Sequence, residues 1–143
     1  ATLVFKVELL DIKAFDSHDD AMGFLQGQGV DTSVGQFTDS GLWMLDVTVG
    51  EGATATPDST VTVHYSGWLT DGTPFDSSRD RGQPATFGLR NVIKGWTEGV
   101  SGMQPGGRRW LVIPYDIAYG ERGRPPTIPP KATLIFDIEF VSM

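Results

Sequence analysis

The sequence predicts an α+β fold: a mostly antiparallel β-sheet with one short α-helix against it, preceded by an extra N-terminal strand and a second short helix. Three observations carry this reading. Alternating or apolar runs recur at residues 42–49, 61–69, 85–89, 108–113 and 132–141, each bounded by turn residues. Eighteen glycines and nine prolines without a repeat period suit a turn-rich β protein better than a helical bundle. Residues 92–100 carry the helical pattern, with Trp96, Val100 and Met103 at i, i+4 and i+7.

Taken in order, residues 1–13 (ATLVFKVELLDIK) alternate as a strand, with Leu3, Phe5, Val7 and Leu9 on one face. The run ATLVFKVELL echoes ATLIFDIEFV at residues 132–141. Coincidence between two amphipathic strands explains this less well than duplication, because the Ala-Thr-Leu opening also repeats. Either the segment is the tail of a preceding domain, or it is a duplicated strand that pairs with the sheet or exchanges between chains. An apolar strand left unpaired is an aggregation hazard, so it is expected to be ordered.

Residues 14–38 read as a linker with one short helix. Asp16 or Ser17 can cap it, Asp19 and Asp20 suit the positive end of the helix dipole, and Ala21, Phe24 and Leu25 form its apolar stripe before Gly27 and Gly29 end it. Residues 39–143 form the main domain. Gly50-Glu51-Gly52 turns after the first strand, and Asp71-Gly72 is a hairpin-type turn after the long second one. Phe75 to Ser78 follows, then the charged loop Arg79-Asp80-Arg81-Gly82. Val92 and Ile93 sit just before or at the start of the main helix, and Gly99 and Gly102 keep it short. Residues 114–131 hold five prolines, cannot be regular structure, and form a candidate functional loop between two strands.

Several chemistries are set aside. A net charge of −7 argues against nucleic acid as a partner. No apolar run approaches the ~18 residues of a membrane span, and no signal-peptide pattern is visible. The chain opens on Ala1, so the compartment stays open: soluble and cytoplasmic, or periplasmic or secreted if an upstream signal is removed. There is no cysteine for a disulfide or a thiolate metal site. His18 and His64 lack metal-ligand spacing; His64, in an alternating strand, reads as a structural hydrogen-bonding residue. Asp16, Asp19 and Asp20 read as a solvated cap rather than a calcium loop. No nucleophile–base assignment and no carboxylate pair stands out, and no metal or cofactor is expected.

What remains is a set of aromatics and one carboxylate at the ends of strands around the helix: Tyr65, Phe75, Asp76, Phe87, Trp96, Tyr119 and Phe136. On its own, Trp96 reads either as plain core or as the floor of an apolar pocket. The runs VHYSGWLTDGTPFDSS, VIKGWTEGV, GMQPGGRRWLVIP, AYG and IPPKATLIFDIEF, in that order, resemble an FKBP-type peptidyl-prolyl cis-trans isomerase over about residues 38–143. The lead-in FLQGQGV…SGLWMLDVTVGEGA is similar to that of bacterial forms with an extra N-terminal segment.

The resemblance implies a bent antiparallel sheet of about five strands wrapped on one short helix, and a folding catalyst acting on proline-containing polypeptides. It implies Trp96 as the floor of the proline pocket, with Tyr65, Phe75, Val92, Ile93 and Phe136 as walls. Asp76 and Tyr119 are its implied polar groups. Arg81, Ala85, Phe87, Ala118 and Ile128 are implied as further substrate contacts, with Ile128 on the proline-rich flap. The backbone amide of Ile93 is implied to hold a ligand carbonyl. Four rim positions depart from the familiar eukaryotic pattern: Ala85, Asn91, Arg124 and Thr127, and the segment 89–92 is shorter. The missing aromatic at Ala85 is expected to weaken binding of the macrolides tacrolimus and rapamycin. The competing expectation is a proline-peptide-binding or chaperone module with weak turnover. Asp76 is expected either to act electrostatically or to partner Arg81 or Tyr65 and so fix the pocket's shape.

Overall fold

A computed structural model describes residues 18–143. The expected strand at residues 1–13, with its pairing or exchange, lies outside the described residues. The elements are α1 (His18–Gly27), β1 (Gln36–Phe37), β2 (Trp43–Thr48), β3 (Thr60–Leu69), β4 (Pro74–Ser77), β5 (Ala85–Gly88), α2 (Lys94–Val100), β6 (Arg108–Ile113) and β7 (Leu134–Ser142), with single 3-10 turns at Thr32–Val34, Leu89–Asn91 and Tyr115–Ile117.

Seven antiparallel strands form one sheet in the order β1-β2-β6-β7-β3-β4, with β5 also on β3. The two strands beyond the five expected are short. β1 has two residues at the outer edge of β2. The far edge of β3 is shared: β5 pairs with Thr60 to Val63, and β4 with Ser66 to Trp68. Between these two partners, buried Ser78 closes the gap. Its backbone N–H donates to the Tyr65 carbonyl at 2.9 Å, and its Oγ accepts from the Tyr65 N–H at 2.7 Å. His64 Nδ1 lies 3.1 Å from the same Oγ, which fits the structural role expected of that histidine.

Both faces of the sheet are covered. In β6, Leu111 and Ile113 join the core on the α2 side, while Trp110 and Val112 join a second core on the other side. In β7, Leu134, Phe136, Ile138 and Phe140 face α2's core and Ile135 the other. The helix within residues 14–38 packs on this second core: its Ala21 and Leu25 are fully buried against Trp43, Leu45, Trp110, Val112 and Ile135, and the half-buried Phe24 meets the Trp68 ring at 5.3 Å.

α2 lies close to β6 because it presents two glycines, four residues apart, to that strand. A Cβ at Gly99 would stand 2.6 Å from Leu111 Cδ1, and one at Gly95 2.9 Å from Ile113 Cδ1. Gly99 therefore does more than shorten the helix. Trp96 and Val100, next to these glycines in sequence, are 4% and 0% exposed. The last turn is held by Arg109, whose Nη1 donates to the carbonyls of Gly99 (2.8 Å) and Ser101 (3.4 Å) while its Nε donates to Asp46 at 2.6 Å. A cation on the orphan carbonyls of a helix C-terminus is where it stabilises most.

Candidate active site

One cavity of about 370 Å³ opens on the α2 side of the sheet. Trp96 comes to it from the first turn of α2, Tyr65 from β3, Phe75 and Asp76 from β4, Phe87 from β5 and Phe136 from β7. Val92 and Ile93 arrive from the extended residues before α2, and Tyr119 from the loop after β6.

The aromatic side chains hold one another edge-on. The Trp96 ring meets Tyr65 at 5.2 Å and 86°, Phe87 at 5.2 Å and 77°, and Phe136 at 5.4 Å and 87°. Phe75 meets Phe136 at 5.5 Å and 87°. Edge-to-face pairs are favourable, and they fix Trp96, Tyr65, Phe87 and Phe136 against two or more neighbours each, so the walls do not collapse into the space they enclose. Gly67 makes room for this arrangement. It pairs with Phe136 across β3 and β7, and a Cβ on it would lie 2.7 Å from Phe75 Cζ and 2.8 Å from Phe136 Cε1.

The polar side of the cavity is a closed triangle. Tyr65 Oη donates to Asp76 Oδ2 at 2.5 Å, Arg81 Nη1 donates to Asp76 Oδ1 at 2.7 Å, and Arg81 Nη2 donates to Tyr65 Oη at 3.0 Å. Asp76 thus partners both Tyr65 and Arg81. Burial pushes its carboxyl up, but the hydrogen bonds from Tyr65 and Arg81 outweigh burial and leave it below the ordinary carboxylate value. Burial, and then the bond to Asp76, push the Tyr65 phenol above its ordinary value. Both groups therefore keep one protonation state across neutral pH, and neither is poised as a general acid or base there.

Ile93 caps α2 in an extended conformation (φ −58°, ψ 149°), and no backbone acceptor faces its N–H among the described residues. Arg81 acts on the cavity through Asp76 and Tyr65. Ala85, Ala118 and Ile128 pack behind the lining: Ala85 sits opposite Val63 in the strand pairing, and Ile128 is 2% exposed, its side chain turned into the core. The rim is instead made by Asn91 and Arg124, both lining the cavity. Their position at the mouth depends on the turn before α2 and the loop after β6. No group of three or more potential metal ligands, and no helix long and apolar enough to cross a membrane, is found among the described residues.

Comparison with known proteins places this chain in a family. The model of the FKBP-type peptidyl-prolyl cis-trans isomerases matches residues 51–141. An FK506-binding protein of Neisseria meningitidis serogroup A is 51% identical over 100 residues, 68% of this chain and 92% of that protein. The FKBP-type 22 kDa peptidyl-prolyl cis-trans isomerase of Escherichia coli is 47% identical over 107 residues, 74% of this chain and 52% of that one. A crystal structure of a peptidyl-prolyl cis-trans isomerase from Pseudomonas syringae aligns with a TM-score of 0.74 at 32% identity, covering 96% of this chain and 98% of the other. The chain belongs to the family of FKBP-type peptidyl-prolyl cis-trans isomerases.

Proposed function

We propose that this protein accelerates rotation about X–Pro bonds by seating the proline ring on Trp96, between the walls made by Tyr65, Phe75, Val92, Ile93 and Phe136. The observation that carries this is the cavity of about 370 Å³ whose aromatic floor and walls are fixed by one another while its ionisable groups are locked. An X–Pro bond rotates over a barrier near ~18–20 kcal/mol that comes from amide resonance. Twisting the bond breaks that resonance and leaves a carbonyl that prefers a less polar environment than water. An apolar pocket that fits the twisted amide better than the planar one lowers the barrier with no nucleophile, acid or base, and each ~1.4 kcal/mol of such selectivity is worth tenfold in rate. The Ile93 N–H is free to receive a substrate carbonyl and orient the peptide.

Asp76 serves chiefly to hold the Tyr65 ring and Arg81 in place. Asp76→Leu is expected to destabilise the protein by about 1 kcal/mol, the net worth of the part-buried hydrogen bond from the Tyr65 hydroxyl, and to raise KM. Unchanged turnover in that variant would rule out a direct electrostatic role. Proteins of this family bind proline-containing peptides and macrolides. For this chain, macrolide affinity is expected to be weak because Ala85 stops behind the lining where a longer aromatic side chain would extend to the mouth, and Ala85→Phe is expected to raise it in a calorimetric titration with tacrolimus.

The decisive test is a protease-coupled isomerisation assay on an X-Pro-Phe peptide. Acceleration proportional to enzyme is the expected result. Binding of the peptide without acceleration would favour the reading as a proline-binding or chaperone module.

A further inference from the structure

The mouth of the cavity is electrically asymmetric. Arg81 is neutralised by Asp76 at 2.7 Å, and Arg90, on the turn before α2, lies 3.5 Å from Asp58. Arg124 lines the cavity and has no carboxylate within ion-pair distance among the described residues. It is also held in place. Its backbone N–H donates to the Ile128 carbonyl at 2.8 Å and its carbonyl accepts from the Ile128 N–H at 2.9 Å, and Ile128 is anchored in the core. Its guanidinium lies over the Tyr119 ring, 5.8 Å from the centroid. A planar cation laid on an aromatic face keeps its N–H edge available for a carboxylate, which it can meet with two parallel hydrogen bonds. Asn91 adds a neutral amide donor at the same mouth.

We infer that Arg124 is a specificity-determining residue, favouring substrates that carry a carboxylate on a residue adjacent to the proline. This rests on the isomerase reading of the cavity. The protein's own net charge of −7 repels acidic chains at long range, so the preference is local and depends on Arg124 rather than on the overall field.

The test compares peptides with Glu or Gln immediately before, or immediately after, the proline, with isomerisation followed by NMR exchange so that no protease imposes its own preference. Glu and Gln match in size, so their ratio isolates charge. In the unaltered protein kcat/KM is expected to favour Glu over Gln about threefold to fivefold at low salt in at least one of the two positions, the scale of an exposed ion pair. The preference should fade at 1 M salt. Arg124→Gln should bring the ratio to one, and Arg124→Lys should restore part of it. Because the readout is a ratio within each variant, a general loss of activity cannot mimic the effect. A ratio near one at both positions in the unaltered protein, or one that survives Arg124→Gln, overturns the inference while leaving the isomerase reading intact. No turnover of any peptide overturns both.

Discussion

The two faces of the sheet are both rich in aromatics, and the cavity of about 370 Å³ opens on one of them. On the α1 side, Trp43, Trp68, Trp110 and Phe24 pack against one another, with Trp68 and Trp110 at 5.7 Å, under a ten-residue helix whose Ala21 and Leu25 fill the remaining space. On the α2 side, the helix has seven residues and its glycines press it onto β6, so it covers Leu111 and Ile113 and sends one large side chain, Trp96, to the space beside Tyr65 and Phe136. Aromatic content does not distinguish a core from a pocket. The length and placement of the covering helix do.

The largest effect expected from breaking this contrast is at Trp96. Trp96→Ala should cost about 3–5 kcal/mol of stability, as large-to-small changes of a buried tryptophan do, and should lower kcat/KM at least tenfold. Denaturant melts alongside the peptide assay would report both, and a variant with near-normal kcat/KM would remove Trp96 from the site. On the opposite face, Leu25→Ala should cost about 2–5 kcal/mol for the same reason while kcat/KM per folded molecule stays within twofold. A loss of turnover matching that of Trp96→Ala would mean that the two faces are not independent. Gly99→Ala tests the close approach of α2. Helix propensity favours alanine by about 1 kcal/mol, but overpacking against the fully buried Leu111 costs about 1–3 kcal/mol, so a net loss of about 1 kcal/mol is expected in urea melts. A stabilised variant would show that Leu111 yields freely.

The smallest effect concerns pH. Burial holds the His18 imidazole below its ordinary value, against the opposing charge of Asp19. The unfolded chain then binds the proton first, so this contribution to stability is complete above about pH 6.5 and is lost as pH falls through the lower folded value. The melting temperature should drop slightly between pH 6.5 and 5 on this account, and His18→Gln should flatten that part of the profile. His18 meets the Phe37 ring at 4.7 Å, tilted by 43°, on the α1 side, so turnover over the same range should not follow it.

Much of the cavity lining was legible because its residues are large and few. Tyr65, Phe75, Asp76, Phe87, Trp96, Tyr119 and Phe136 stand at strand and loop positions that alternation and turn chemistry mark out, and the structure gathers all seven around one cavity. Ala85, Ala118 and Ile128 are small or aliphatic, and sequence cannot say whether such a side chain faces a cavity or the packing behind it. Gly67, Gly95 and Ser78 are silent in the sequence because their contribution is what they leave room for or mend, which has no signature of its own. The second core did have one: Trp110-Leu111-Val112-Ile113 is apolar at every position, the pattern of a strand buried on both faces. That pattern foretells a cover on the far side, supplied here by α1 in what otherwise reads as a linker.

Ser78 has a consequence for how the mouth of the site can vary. By standing in for a strand between β4 and β5, it fixes the sheet up to residue 78, and β5 restarts the pairing at Ala85. Between these two points the loop is tied down again, by Arg79 on Asp137 and Glu139 and by Arg81 on Asp76 and Tyr65. That leaves the exposed residues 82–84 as the stretch of this loop that can be rewritten, by descent or by design, with the sheet beneath left as it is.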